Sequence, residues 1–172
     1  MQICNDMSHI AQLIADLGRR FSMKDLGPDN YFLGMEIGRK SDGLFISQLK
    51  YVHDLLLLTK MAAAKPIHTP AVSGRRLSLQ DGDPLPDPTE YRSVVGALQY
   101  LTLTFMHQPT SIHWLAIKRI LRYLVGTPSH GITYKPGSII LTAYSDNDYA
   151  GNPDDRRSTC GYCIYIGSNL VC

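Results

Sequence analysis

Ile10, Leu13, Ile14, Leu17 and Phe21 recur at three- and four-residue spacing, which predicts an amphipathic first helix. Asp6 is placed to cap its start, and Arg19 and Arg20 lie near its end, where positive charge suits the helix dipole. Tyr31, Leu33, Met35 and Ile37 then alternate and read as a strand; Ser41-Asp42-Gly43 signals a turn, and Leu44-Phe45-Ile46 returns as the second strand of a hairpin. Ser47 is placed to cap a helix that runs through Tyr51, Leu55 and Leu58 to about Met61, with Leu55-Leu56-Leu57-Leu58 expected in the core. Residues 65–88 hold Pro66, Pro70, Pro84, Pro86 and Pro88 with Gly74 and Gly82, the composition of a long loop or linker. Helix is expected to resume at Thr89-Glu90-Tyr91, with Val94, Val95, Leu98, Leu101 and Leu103 on its apolar side. Pro109 interrupts it, Thr110 or Ser111 can cap, and a helix over about 112–125 stops at Gly126-Thr127-Pro128. Strands are expected at 132–134, 139–144 and 161–166, followed by a turn at Gly167-Ser168-Asn169 and a stub at Leu170-Val171. The pattern is α+β, without an internal repeat.

Composition changes this picture little. At 172 residues and 44% hydrophobic content the chain can build one ordinary core or two small ones. A net charge of +2 argues neither for nor against nucleic acid, but its distribution is informative. Residues 91–145 contain no Asp or Glu, yet carry Arg92, Lys118, Arg119, Arg122 and Lys135 with His107, His113 and His130. Such a stretch is either a footprint for a polyphosphate backbone or the solvated basic edge of a half-buried helix. Residues 1–16 are polar and no apolar run is long enough to span a bilayer, so neither a signal peptide nor a membrane partner is expected. The expected location is intracellular, cytoplasmic or nuclear.

The densest candidate chemistry lies near the C-terminus. The run Tyr144-Ser145-Asp146-Asn147-Asp148-Tyr149 follows an apolar strand, and Asp154-Asp155-Arg156-Arg157 precedes the next strand. A carboxylate at a strand end beside a returning strand can hold a divalent metal against a phosphodiester. Asp146 and Asp148 are the candidate ligands, with Arg156 and Arg157 reaching a phosphate; the alternative is a solvated loop whose aspartates pair loosely with those arginines. Cys160 and Cys163 form a C-x-x-C, but no second pair follows and strand residues three apart point to opposite faces, which favours plain cysteines in a reducing compartment.

Several segments, in order, resemble one family. Phe21-Ser22-Met23-Lys24-Asp25-Leu26-Gly27 with Tyr31-Phe32-Leu33-Gly34-Met35-Glu36-Ile37 comes first, then Gly43-Leu44-Phe45-Ile46-Ser47-Gln48 with Lys50-Tyr51. Lys65-Pro66-Ile67-His68-Thr69-Pro70, Tyr91-Arg92-Ser93-Val94-Val95-Gly96-Ala97-Leu98-Gln99-Tyr100-Leu101, His113-Trp114 and Lys118-Arg119-Ile120-Leu121-Arg122-Tyr123-Leu124 continue the series. Together they resemble the copia-type (Ty1/copia, Pseudoviridae) LTR retrotransposon Pol polyprotein, where the reverse transcriptase region runs into RNase H. The resemblance implies a palm end and primer-grip-like hairpin over 1–64, a proline-rich linker over 65–88, thumb and connection helices over 89–130, and the start of a truncated RNase H-like domain over 131–172.

It further implies that Asp146 matches the first RNase H carboxylate, a catalytic position in the intact ancestor, and that Lys118, Arg119 and Arg122 contact phosphates of an RNA–DNA hybrid or DNA duplex without base specificity. Trp114 is then either a stacking platform or, as favoured for an indole on a helix face, core. The family's Tyr-Val-Asp-Asp polymerase motif is not in this sequence, and its later RNase H acids would fall beyond Cys172. The chain also passes from Leu101-Thr102-Leu103-Thr104 straight to Phe105-Met106-His107-Gln108-Pro109, which implies a thumb-helix deletion. The expectation is therefore a Pol fragment without complete active sites, binding template-primer non-specifically at most. Mg2+ serves the parent family, but one carboxylate and its neighbour make a weak site. The alternatives are an inert remnant, a fragment that works only when complemented by other Pol segments, and, more weakly, a metal-dependent nuclease using Asp146 and Asp148.

Overall fold

The computed structural model describes residues 7–22, 31–32, 34–74, 76–98 and 106–172. The expected Asp6 cap, the apolar positions Leu101 and Leu103 and the junction at Thr104-Phe105 lie outside the described residues. Met1–Asn30 and Tyr31–Cys172 form two compact units. Among the described residues there are four α-helices and two small antiparallel sheets, a mixed α+β architecture. In the first unit, α1 (Met7–Arg20) forms on the predicted periodicity. Its end is closed by the Phe21 N–H, which donates to the Leu17 carbonyl at 2.8 Å, and Asp16 pairs with Arg19 one turn apart.

The second unit begins with a departure from the alternation. The positions from Tyr31 to Ile37 are not one strand: β1 (Tyr31–Phe32) turns back on β2 (Met35–Lys40), Phe32 opposite Met35, and Gly34 takes the φ of 81° that the reversal needs. Alternation survives a tight reversal, so the period-2 pattern alone hides it. The expected hairpin follows, with β3 (Gly43–Ser47) paired to β2 so that Lys40 faces Gly43. β4 (Gly131–Tyr134), far along the chain, adds to β3 and completes the order β1-β2-β3-β4.

Both ends of the β3–β4 ladder need glycine. A Cβ on Gly43 would run into the Tyr134 carbonyl, and one on Gly131 into the Ile46 carbonyl and the Phe45 ring. Gly131→Ala is accordingly expected to destabilise the unit by about 1–3 kcal/mol, the usual cost of overpacking. An unshifted urea midpoint for that variant would refute the pairing of β4 with β3. Across the same ladder Lys135 Nζ meets Asp42 Oδ2 at 2.6 Å, and this hydrogen bond and charge hold the Asp42 carboxyl below the usual carboxylate range. Because the folded pKa is lowered, the pair stabilises the fold above the ordinary carboxylate pKa and the contribution fades as pH falls through the lowered value. The difference in urea midpoint between the native chain and Asp42→Asn should therefore shrink on acidification; a difference independent of pH would contradict this.

Three helices supply the core: α2 (Leu49–Leu58), α3 (Thr89–Ala97) and α4 (Ser111–Gly126). Leu55 and Leu56 of α2, Tyr91, Val94 and Val95 of α3, and Ile117, Ile120 and Leu121 of α4 form one buried cluster. The four-leucine run is only half core, since Leu57 and Leu58 are 54% and 70% exposed. Four consecutive helical positions span more than one face, so all four cannot point inward. Ser47 does not cap α2; it is buried at the end of β3, opposite Glu36 and Gly131, and Gln48 takes the N-cap without a side-chain hydrogen bond.

Between α2 and α3 no helix or strand is found among the described residues, yet the segment is docked. Pro84 bridges to Thr110, the Leu85 N–H donates to the Pro109 carbonyl at 3.0 Å, and the Ser111 N–H donates to the Asp83 carbonyl at 2.8 Å. The second sheet, in order β5-β6-β7, comprises β5 (Leu141–Asn147), β6 (Cys160–Ile166) and β7 (Asn169–Leu170). The Asn169 side chain ties it to the end of β4, accepting from the Lys135 N–H and donating to the Lys135 carbonyl, both at 2.8 Å.

Candidate functional site

The candidate carboxylates sit where β5 passes into the loop before β6. β5 starts later than expected and runs through Asp146, which pairs with Gly161, so the aspartate is within the strand rather than just past it. Its carboxylate is exposed and accepts from the Asn147 N–H at 2.9 Å. Asp148 turns inward on its own loop: its N–H donates to the Thr159 carbonyl at 3.1 Å, and its carboxylate accepts from the Thr159 N–H. Gly151 is buried against that carboxylate, where any Cβ would overlap it.

The remaining charges of the loop have separate tasks. Asp154 leaves the loop and accepts from the Ser78 hydroxyl and from the Leu79 N–H, the latter at 2.7 Å. Asp155 accepts from Arg157 Nε at 3.3 Å and from the Arg157 N–H at 3.0 Å. Arg156 is exposed, at a φ of 59°. Among the described residues no three His, Cys, Asp or Glu side chains converge. Asp146 and Asp148 thus offer two carboxylates, both already engaged by a backbone N–H, and this donor set does not fit a two-metal centre.

The segment that Asp154 grips is also held by α4. Thr110 is the N-cap, and with His113 it forms a reciprocal capping box: Thr110 Oγ1 accepts from the His113 N–H at 3.4 Å, and His113 Nδ1 accepts from the Thr110 N–H at 3.1 Å. With Nδ1 the acceptor, Nε2 carries the proton and donates to the Ser78 carbonyl at 3.0 Å. Thr110 Oγ1 donates in turn to the Asp81 carbonyl. Ser78 is therefore the point where the interhelix segment, α4 and the loop before β6 meet.

The basic residues of α4 are largely engaged within the fold. Arg119 Nη2 donates to Thr69 Oγ1 at 2.7 Å, and Arg122 Nε donates to the Lys65 carbonyl at 2.7 Å, so both hold the start of the interhelix segment on the helix. Lys118 Nζ lies 5.3 Å from the centre of the Trp114 ring, within cation–π range. Trp114 packs against the core, edge-on to Tyr91 with centroids 6.1 Å apart. Elsewhere in the acid-free run, Arg92 donates to the Met106 and His107 carbonyls, both at 3.2 Å. Lys118, Arg119 and Arg122 also share one wall of a cavity of roughly 590 Å³ between α4 and residues 61–77.

Comparison with known proteins gives this arrangement its context. The chain is 47% identical over 97% of its length to the retrovirus-related Pol polyprotein from transposon RE2 of Arabidopsis thaliana, and 48% identical over the same share to that from transposon RE1. It also matches an uncharacterized mitochondrial protein of that plant, AtMg00810, at 42% identity over 92% of this chain and 72% of that protein. The chain belongs to the copia-type retrotransposon Pol family. It spans only 12% of the length of either transposon polyprotein. No protein-family model matches it, and no solved structure does.

Within this copia-type Pol segment, the structure adds residues that sequence reading passed over. Ser78 and the clamp by Asp154 carried no local signal, because the two positions are 76 residues apart and join only in the fold. In the sequence His113 stands out only within a basic run and the His113-Trp114 motif, although a Thr three residues ahead of it at a helix start is half of a capping-box signature. Cys160, Cys163 and Cys172 are free thiols, all exposed. Among the described residues no helix is long and apolar enough to cross a membrane.

Proposed function

We propose that this copia-type Pol segment binds an RNA–DNA hybrid or DNA duplex without sequence preference and carries no complete active site of its own. In this reading the β2–β3 hairpin is a primer-grip-like element, α3 and α4 are thumb and connection helices, and β5–β6 are the first strands of an RNase H-like fold. The observation that carries it is α4, a helix in a stretch without acids that brings Lys118, Arg119 and Arg122 to one side. Arg156 and Arg157, both exposed, add a second cationic point. Mg2+ would serve the parent enzymes through several converging carboxylates; Asp146 and Asp148 supply too few to support cleavage here. Such a segment would work in the cytoplasm or nucleus, where its nucleic-acid partners are.

The test is binding of a labelled RNA–DNA hybrid at low and moderate salt, with a magnesium cleavage control in the same tubes. Affinity is expected to fall steeply with salt, without cleavage. Lys118→Gln is the informative variant, since Arg119 and Arg122 also hold the fold together. Removing one phosphate contact should lower the slope of log affinity against log salt by about 1. Binding independent of salt would refute the reading, and cleavage abolished by Asp146→Asn would replace it with a nuclease.

A second reading is a fragment that works only beside other Pol segments, and the second sheet supports it. Leu141, Tyr144 and Tyr162 on β5 and β6 are 69%, 65% and 61% exposed, and Ile139 just before β5 is 89% exposed. Apolar surface on a short sheet with an open β5 edge suits coverage by another chain segment. Poor solubility of the isolated chain, relieved by co-expression with a complementing Pol segment, would favour it over the first.

A further inference from the structure

We propose that the cavity between α4 and residues 61–77 is a binding site for a small apolar anion, a monocarboxylate on a hydrocarbon body. This goes beyond the nucleic-acid reading and stands or falls separately from it. At roughly 590 Å³ the cavity falls within the range of small-molecule sites. Among the described residues its walls are aliphatic side chains such as Val72, Leu77, Ile112 and Leu115, and its charged or polar side chains are Lys118, Arg119 and Arg122.

The lining decides the ligand class. Among the described residues it contains no acid to accept a cation. Among them there is also no aromatic ring on which a base could stack and no Asn, Gln, Ser or Thr side chain to read a base edge, so a nucleotide finds little there beyond charge. Three cations on an aliphatic wall match a ligand that is apolar at one end and anionic at the other. Arg119 Nη2 donates to Thr69 Oγ1 at 2.7 Å, which holds the guanidinium beside the cavity. A carboxylate oxygen is the acceptor that a guanidinium takes best. The ligand's hydrocarbon would cover Leu115, which is 60% exposed, and Val72, which is 50% exposed.

The test uses the full chain with decanoate, decanol, decyltrimethylammonium and AMP as probes, all below micellar concentration, followed by calorimetry and by methyl NMR. Decanoate is expected to bind at least tenfold more tightly than decanol, and the ammonium not at all. Ala116→Phe puts a ring into the cavity while leaving the three cations in place, and should weaken decanoate binding at least tenfold without altering the circular dichroism spectrum. Arg119→Gln should weaken decanoate at least tenfold; if losing the Thr69 contact unfolds that variant, Ala116→Phe still decides. Decanol equal to decanoate, unchanged affinity in Ala116→Phe, or AMP displacing decanoate at equal concentration would each overturn the proposal.

Discussion

His113→Leu is expected to lower the free energy of unfolding by about 3–5 kcal/mol, the sum of two buried groups left unpaired and a damaged helix cap. His113 is 1% exposed and reaches both the Thr110 N–H and the Ser78 carbonyl. Leucine fills a similar volume, so the loss comes from hydrogen bonding rather than from a cavity. His113→Gln, which can still accept from the N-cap N–H as the third residue of a capping box, should retain part of the stability. Urea melts of the two variants check this, and amide exchange adds a local readout. Because His113 and Asp154 both hold Ser78, one through its carbonyl and the other through its hydroxyl, the leucine variant should exchange faster both near Ser78 and in the 148–159 loop. Equal midpoints for the native chain and His113→Leu would mean that this hydrogen-bonded hub contributes nothing.

Leu121→Ala is the second large effect, with an expected loss of about 3–5 kcal/mol from transfer and cavity terms. Leu121 is 0% exposed and lies in the cluster where α2, α3 and α4 meet. The contrast is Leu58→Ala, a leucine truncation at a position 70% exposed. That change should stay within about 0.5 kcal/mol. If the two variants melted alike, the placement of Leu121 in the core and of Leu58 on the surface would be wrong.

The helices were legible because each repeats its apolar residues every three or four positions, and Thr110 at the head of α4 carried a recognisable cap. What periodicity hid was direction and partnership. Tyr31 and Met35 keep their alternation although the chain reverses at Gly34 between them. Ser47 looked like a cap because hydroxyls favour helix starts, but it was claimed first by the β2–β3–β4 ladder. Among the candidate site residues, Asp146 could be located at a strand, whereas the tasks of Asp148, Asp154, Arg119 and Arg122 could not be seen. Their partners Thr159, Ser78, Thr69 and Lys65 lie 11 to 76 residues away, and hydrogen bonds across such distances leave no mark on local pattern.

The pairing of β4 with β3 sets a timetable for synthesis. Ser47 faces Gly131, roughly 80 positions later, so β3 waits on the ribosome for its neighbour. At roughly 5–20 residues per second that interval is about 4–16 s. Throughout it the hairpin carries a row of unpaired backbone groups, ready to pair with any other nascent strand. Slow codons between α2 and α4 would lengthen this window and raise aggregation without altering a single residue of the finished chain.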